Sequence, residues 1–546
     1  MLWKYILFFL FNYLIVIPLK GQVQEFAKPV RNAILLSGNF GELRATHFHS
    51  GIDIRTGGVV GWPVICVKDG ILARVSVSPT GYGQALYVEH PDGTTTVYGH
   101  LERFVPAVTK LVRELQYRRE SFRIDEDFKS YRLYFKQGDT IAYSGNTGTS
   151  GGPHLHFEVR NTETERTLNP LLFYSIRDTK APVVRKLYLY TISDEGCVDL
   201  FRSYGLKALG KGQYIAGKLT VPAGKIGVGL YITDYMEGSW NKLGVYQIKL
   251  VADRDTLFTL QMDSCSFEQG CFINEVKDFN CYKKRETVYR CFGNYQEQFL
   301  GIRNFEQGCI SVVEDSLVSV QIELADINGN RSHVKLQLKG GKSGSAEKKE
   351  ILRYDEPHVL ELADCRVELA AGTLFSSVRK DLRIEKDTVT GQDVFVLSSQ
   401  DTPLFKKGRM RIAGAFDSHA VICEVDNNGC RIPVETIRTP DALEAWIGYL
   451  SRYTVAEDHE KPQITFLGKF PDRTLRFKIK DNLSGIATYR GEVNGKWCLF
   501  TYDPRIDLLQ CSLTEPVFDN DCLNEVKITV EDKTGNIEEL LVKIRK

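Results

Sequence analysis

Short runs of alternating apolar and polar residues dominate the chain and predict a mainly β protein. Val64-Ile65-Cys66-Val67 precedes the turn pair Asp69-Gly70, and Ile71 to Val77 follows it. Ala85 to Glu89 and Thr94 to Tyr98 flank Pro91-Asp92-Gly93, which is a hairpin signal. Residues 30–175 therefore read as antiparallel sheet. One segment changes period. From Pro106 to Arg119 the apolar positions Val108, Leu111, Val112 and Leu115 fall at helical spacing among Lys110, Arg113, Glu114, Arg118 and Arg119. Ser121 to Phe135 is charged and mixed, so residues 103–136 predict a partly helical excursion from the sheet.

The start of the chain follows another pattern. Lys4 precedes a nearly unbroken apolar run from Tyr5 to Pro18, and polar sequence begins near Gly21. The run is about fourteen residues, short for a bilayer span of about 20, so residues 1–21 read as a cleaved export signal rather than a retained anchor. No second long apolar run follows, so no integral membrane segment is expected after cleavage.

Beyond Pro170 strand-like alternation continues to the end. Asp178-Thr-Lys-Ala-Pro182 reads as the start of a new module, and Pro462-Gln-Ile-Thr-Phe466 sits at a comparable start. Two turns nearly repeat, Asp326-Ile-Asn-Gly-Asn330 and Asp532-Lys-Thr-Gly-Asn536. The expected domains are 22–176, then one or two β-sandwich modules at 178–337, a β-rich region at 345–455 and an Ig-like β-sandwich at 460–546. The Gly/Ser/Lys run from Lys339 to Lys348 reads as a linker.

Composition adds exclusions. The 546 residues exceed what one core supports, and the net charge of +1 offers no field for nucleic acid. Of 13 cysteines, Cys66 stands alone in a strand pattern and reads as a core thiol. Export permits disulfides, with Cys265–Cys271, Cys281–Cys291 and Cys423–Cys430 as local candidates. Trp240, Trp446 and Trp497 read as core residues in preference to a sugar-binding surface.

Three segments carry chemistry: His47-Phe-His49-Ser-Gly51-Ile-Asp53, Tyr98-Gly-His100-Leu101, and Gly152-Pro-His154-Leu-His156-Phe-Glu158. On a strand His154 and His156 share one face, with Leu155 and Phe157 on the other. His49 and Asp53 add an imidazole and a carboxylate, and Gly51 permits tight or unusual backbone between them. Two histidines and one carboxylate make the three-ligand, one-open-position set of a hydrolytic zinc site. Glu158 falls on the same face by period and reads as a carboxylate behind the ligands or at the surface. Tyr98 and Asn146 are further candidates around the groove; His47 has the weaker case.

Together these segments resemble the lysostaphin-type zinc endopeptidases, the LytM-like M23 group. Gly61-Trp-Pro63-Val64, Gly81-Tyr-Gly83, Gly145-Asn-Thr-Gly148, Gly152-Pro153 and Asn169-Pro170 match its landmarks in order, over residues 35–175. The resemblance implies Zn2+ held by His49, Asp53 and His156, with His100 and His154 as catalytic histidines. It also implies peptidoglycan peptides as substrate and a periplasmic or envelope location in a Gram-negative bacterium. The excursion after Leu101 departs from the common pattern and is expected to border the groove. A competing reading is a non-hydrolytic envelope scaffold that binds peptidoglycan or a partner protein through the insertion or the C-terminal modules.

Overall fold

A computed structural model describes residues 26–294, 301–343, 349–387 and 390–546; the expected export signal lies outside them. Residues 36–168 build one antiparallel sheet from β1 (Leu36–Gly38), β2 (Ile52–Arg55), β3 (Pro63–Ile65), β4 (Gly70–Val77), β5 (Gln84–Glu89), β6 (Thr94–Phe104), β7 (Ile124–Asp127), β8 (Tyr134–Phe135), β9 (Thr140–Ser144), β10 (His154–Asn161) and β11 (Thr167–Leu168). The main path runs β1-β2-β10-β6-β5-β4-β7. Leu155, Phe157 and Val159 of β10 are fully buried, as the alternation predicts.

The helix α1 spans Pro106–Arg119, with Pro106 at its first turn and Val108, Val112 and Leu115 buried. Its two ends leave the sheet and return to it. Ser121 to Phe135, read only as mixed sequence, places Ile124 in the core and adds β7 and β8 to the edge of β4. Arg74 clasps Asp125 across that new pair at 2.6 and 2.7 Å.

The first two regions of the chain share a core. One contiguous set of buried side chains runs from Phe26 to Leu338, and β11 pairs with Ser264–Cys265. Asn39 and Gly244 exchange two hydrogen bonds, Nδ2 to the carbonyl at 2.8 Å and N–H to Oδ1 at 2.7 Å. Lys277, with no exposed surface, donates from Nζ to the carbonyls of Arg44 and Ala45 at 2.9 and 2.8 Å. Two further cores follow, Leu352 to Tyr453 and Leu475 to Ile544, each lined by strands of two sheets.

The last of these regions folds back onto α1. Glu515 accepts from Arg113 and Tyr117, Trp497 meets Tyr117 edge to face, and Arg490 pairs with Glu120. Arg505 donates to the carbonyl of Ser150 at 2.7 Å. The insertion therefore binds another part of its own chain.

Several expectations need correction. All 13 cysteines are free thiols, so none of the three local pairs is bridged. The register explains one case: Cys423 lies opposite Pro433, and Cys430 sits in the exposed turn. Trp240 is 76% and Trp446 53% exposed, so neither is a core residue; Trp240 lies under the Arg55 guanidinium at 3.7 Å. The strand Arg331–Gly341 runs into the predicted linker, where the Gly340 backbone approaches Val313 too closely for any side chain. Among the described residues no helix is long and apolar enough to cross a membrane.

Lys277 yields a test of the shared core. Burial pushes its ammonium down to about 8, whereas an unfolded lysine holds its proton to about 10.4. Between these values the unfolded chain binds more protons, so stability rises with pH across the window. Urea unfolding from about pH 8 to about pH 10 should show wild type gaining on Lys277→Met; a constant difference across that range refutes the assignment.

Candidate active site

The site forms where β10 lies between β2 and β6. Register sets His156 beside Asp53 on one flank and Gly99 on the other. His49 comes from the loop ahead of β2, where Gly51 is needed for space and not for an unusual φ. A Cβ there would stand 2.4 Å from the Phe157 carbonyl. His100 follows Gly99 at an irregularity of β6, with φ +58°, a left-handed conformation that costs a side-chain-bearing residue energy.

The donor atoms of His49, Asp53 and His156 converge and are buried. His49 Nε2 is 3.1 Å from both His156 Nδ1 and Asp53 Oδ1, and Nδ1 of His156 is 3.0 Å from the same oxygen. A tetrahedral zinc with bonds of about 2.0–2.1 Å spaces its ligands by about 3.3 Å, so this triangle is the right size.

The remaining polar atoms of all three are tied off, which fixes each ring's presentation. His49 Nδ1 lies 2.8 Å from the Asn39 carbonyl, a partner that only N–H satisfies, so Nε2 keeps its lone pair. His156 Nε2 lies 2.8 Å from Glu158 Oε1, freeing Nδ1 for the triangle. Arg44 donates to Asp53 Oδ2 at 2.8 Å, leaving Oδ1 inward. Burial alone would raise Asp53, but His49, His154 and His156 hold it well below the usual carboxylate range.

His154 and His100 stand beside this triangle. His154 gives Nδ1–H to the Gly152 carbonyl at 2.8 Å and points Nε2 at Asp53 Oδ1, 3.4 Å away. His100 gives Nδ1–H to the Thr147 carbonyl at 2.8 Å. The two rings meet edge to face with centroids 4.8 Å apart. Burial, with His156 and His154 close by, pushes His100 down to about 3.

Glu158 is not at the surface. It is fully buried and accepts from Ser50, Tyr82, His156 and Arg160 at 2.5–2.8 Å. Against burial, Arg160 and His156 hold it well below the carboxylate range. Tyr98 is a fully buried hydroxyl bonded to Thr96 and the Val67 N–H, remote in role from the groove. Asn146 keeps a buried, unpartnered Oδ1, while its neighbour Thr147 orients His100. His47 is exposed and outside the triangle. Sequence reasoning overlooks Asn39, which acts through its backbone carbonyl, Lys277, whose partners are distant in the chain, and Arg44, a loop arginine that belongs to none of the three motifs.

Residues 47–116 match the model of Peptidase family M23, a stretch holding His49, Asp53 and His100. An "Uncharacterized metalloprotease" of Haemophilus influenzae is 32% identical over 123 residues, 22% of this chain and 20% of that protein. The "DD-carboxypeptidase/endopeptidase Mpg" of Neisseria meningitidis is 30% identical over 118 residues, 22% and 21% of the two chains. The "Peptidoglycan DD-endopeptidase ShyB" of Vibrio cholerae is 32% identical over 111 residues, 20% of each. The chain thus spans about a fifth of the length of the curated relatives it matches. Among solved structures, the lysostaphin catalytic domain of Staphylococcus simulans aligns at 22% identity over 26% of this chain and 91% of its own, with a TM-score of 0.20, too low to carry weight. The sequence matches and the buried His49–Asp53–His156 cluster agree: the N-terminal part of this chain, around residues 47–116, carries a metallopeptidase domain of the M23 type.

Proposed function

We propose that this domain is a zinc-dependent endopeptidase that hydrolyses peptide bonds in peptidoglycan cross-links or stem peptides. The observation that carries the reading is the three-donor triangle with two further imidazoles beside it. Zinc, when bound there, supplies a positive centre that lowers the pKa of water and polarises an amide carbonyl. His49 Nε2, Asp53 Oδ1 and His156 Nδ1 would hold it.

The chain's own part is proton management. His100 and His154 both spend Nδ1–H on a backbone carbonyl, so each offers Nε2 as an acceptor. One takes the proton of the attacking water; the resulting imidazolium returns it to the leaving amine nitrogen. The second proton of the water also ends on that nitrogen, so amide and water give a carboxylate and a protonated amine, with no other reactant. The partner imidazole hydrogen-bonds the groups in transit, and the buried Glu158–Arg160 pair keeps His156 oriented throughout.

The names of the Neisseria and Vibrio relatives support a peptidoglycan substrate, and the apolar start supports export to the Gram-negative periplasm or cell envelope. The separate cores at 352–453 and 475–544 support reading the first stretch as a β-rich domain and the second as an Ig-like sandwich, both holding the enzyme to the wall or to a partner. One observation favours a non-hydrolytic scaffold: Arg505 and Glu515 bring the last region against α1 and the Ser150 loop.

Three outcomes decide. Zinc-loaded full-length protein is expected to release soluble peptides from peptidoglycan; no release together with no stoichiometric zinc would overturn the enzyme. His49→Ala should lose zinc, whereas His154→Ala should keep it and lose activity by at least about 100-fold. Equal activity in either variant refutes these roles. Arg44→Ala frees one oxygen of Asp53, and a competition titration should show zinc affinity about 10–100-fold weaker.

A further inference from the structure

The repeated turn noted in the sequence sits at the same place in two regions of the fold. In each, the final Asn donates its N–H to the leading Asp Oδ1, at 2.8 Å for Asn330 and 2.9 Å for Asn536. Its Nδ2 donates to the other oxygen of that Asp, at 2.7 and 2.8 Å. The same Nδ2 also reaches the backbone carbonyl of an aspartate in the segment leading into the region, Asp178 at 3.1 Å and Asp458 at 2.7 Å. A third aspartate completes each set, Asp234 beside Asp326 and Asp178, and Asp481 beside Asp532 and Asp458.

The two sets handle crowded negative charge differently. In the first, burial beside Asp326 and Asp178 pushes Asp234 up to about 8, so at neutral pH it keeps its proton and one charge is removed. In the second, one carboxylate oxygen from each of Asp458, Asp481 and Asp532 lies within 4.8 Å of the others. Asp458 and Asp532 are each 1% exposed. Asp458 Oδ2 accepts from the Ser484 N–H at 2.8 Å, but its Oδ1 is buried and has no hydrogen-bond partner. Asp481 Oδ1 is likewise buried and unpartnered. Lys461 pairs with Glu538 at 3.5 Å, and Lys533 lies alongside Gly485.

Buried, unpartnered oxygens on two members of one carboxylate cluster are costly unless a cation joins them. The donor set is all oxygen, which selects a hard divalent ion over zinc or copper. Calcium bonds of about 2.3–2.6 Å let one ion bridge oxygens separated by up to about 5 Å. We propose that Asp458, Asp481 and Asp532 form a calcium site, distinct from the peptidase centre, that locks the 463–545 sheets to the strand Arg452–Glu457 before them. The locked region is the one whose Arg505 and Glu515 reach the Ser150 loop and α1, so the ion sets how that region meets the groove.

The test uses the full chain stripped with EGTA and titrated with calcium, followed by calorimetry and thermal unfolding. One calcium per chain is expected, with a rise in melting temperature that magnesium does not reproduce. Asp481→Asn, at a partly exposed position, should weaken calcium binding at least about tenfold. Asp458→Asn should do the same; should that variant fail to fold, Asp481→Asn decides. His49→Ala should bind calcium like wild type, which separates this site from the zinc centre. No binding at about 10 mM calcium, above the range of weak extracellular modules, overturns the proposal. So does undiminished binding in Asp481→Asn, or an equal response to magnesium.

Discussion

The carboxylate of Asp53 is the point on which the site turns. Its Oδ1 is shared by His49, His154 and His156, and its Oδ2 by Arg44. An anion buried this deeply persists only where opposing groups surround it. Here those groups are three imidazoles and the Arg44 guanidinium, and two of the imidazoles, His49 and His156, complete the donor triangle, so the requirement that stabilises Asp53 also assembles it. From His156 the polar face of β10 continues through Glu158 to Arg160, which reaches Glu165 beyond the strand's end, each group satisfied by the next. Beneath it Leu155, Phe157 and Val159 fix the strand in the core. One strand thus carries a hydrophobic anchor and a buried chain of charges, separated only by the period of two.

The supports of that triangle come from outside the peptidase sheet. Asn39, whose carbonyl orients His49, is clasped by Gly244. Arg44, which restrains Asp53, has its own carbonyl held by Lys277. Both partners lie beyond residue 178, in a region that shares the core and one strand pairing with the peptidase domain. The later region is thereby part of the site's scaffold as well as an appendage to it.

Much of this is legible in the sequence where local rules operate. The helix Pro106–Arg119, the hairpin around Asp92-Gly93 and the two-faced strand at His154 follow from period and turn chemistry alone. That His49, Asp53, His100, His154 and His156 come together is legible because their spacing resembles that of a known family. The rest depends on distant partners. Nothing near Lys277 marks it as a clamp on Ala45, because the two are 232 positions apart. The cysteine pairs fail because closeness in sequence does not set cross-strand register, as Cys423 opposite Pro433 shows. Trp240 departs from the usual burial of its residue type because Arg55 covers one face of the ring at the surface.

The pairing of β11 with Ser264–Cys265, together with the Lys277 clamp, bears on how the chain is made. Synthesis proceeds from the N-terminus, and domains tend to fold in that order. Residues 36–168 can form their hairpins early, since those contacts are local. The loop carrying Arg44 and His49 receives its last supports only after residue 277 has emerged. Completion of the donor triangle is therefore timed by the length of chain already synthesised, and a product truncated near residue 176 would hold His49, Asp53 and His156 while lacking the groups that set two of them in place.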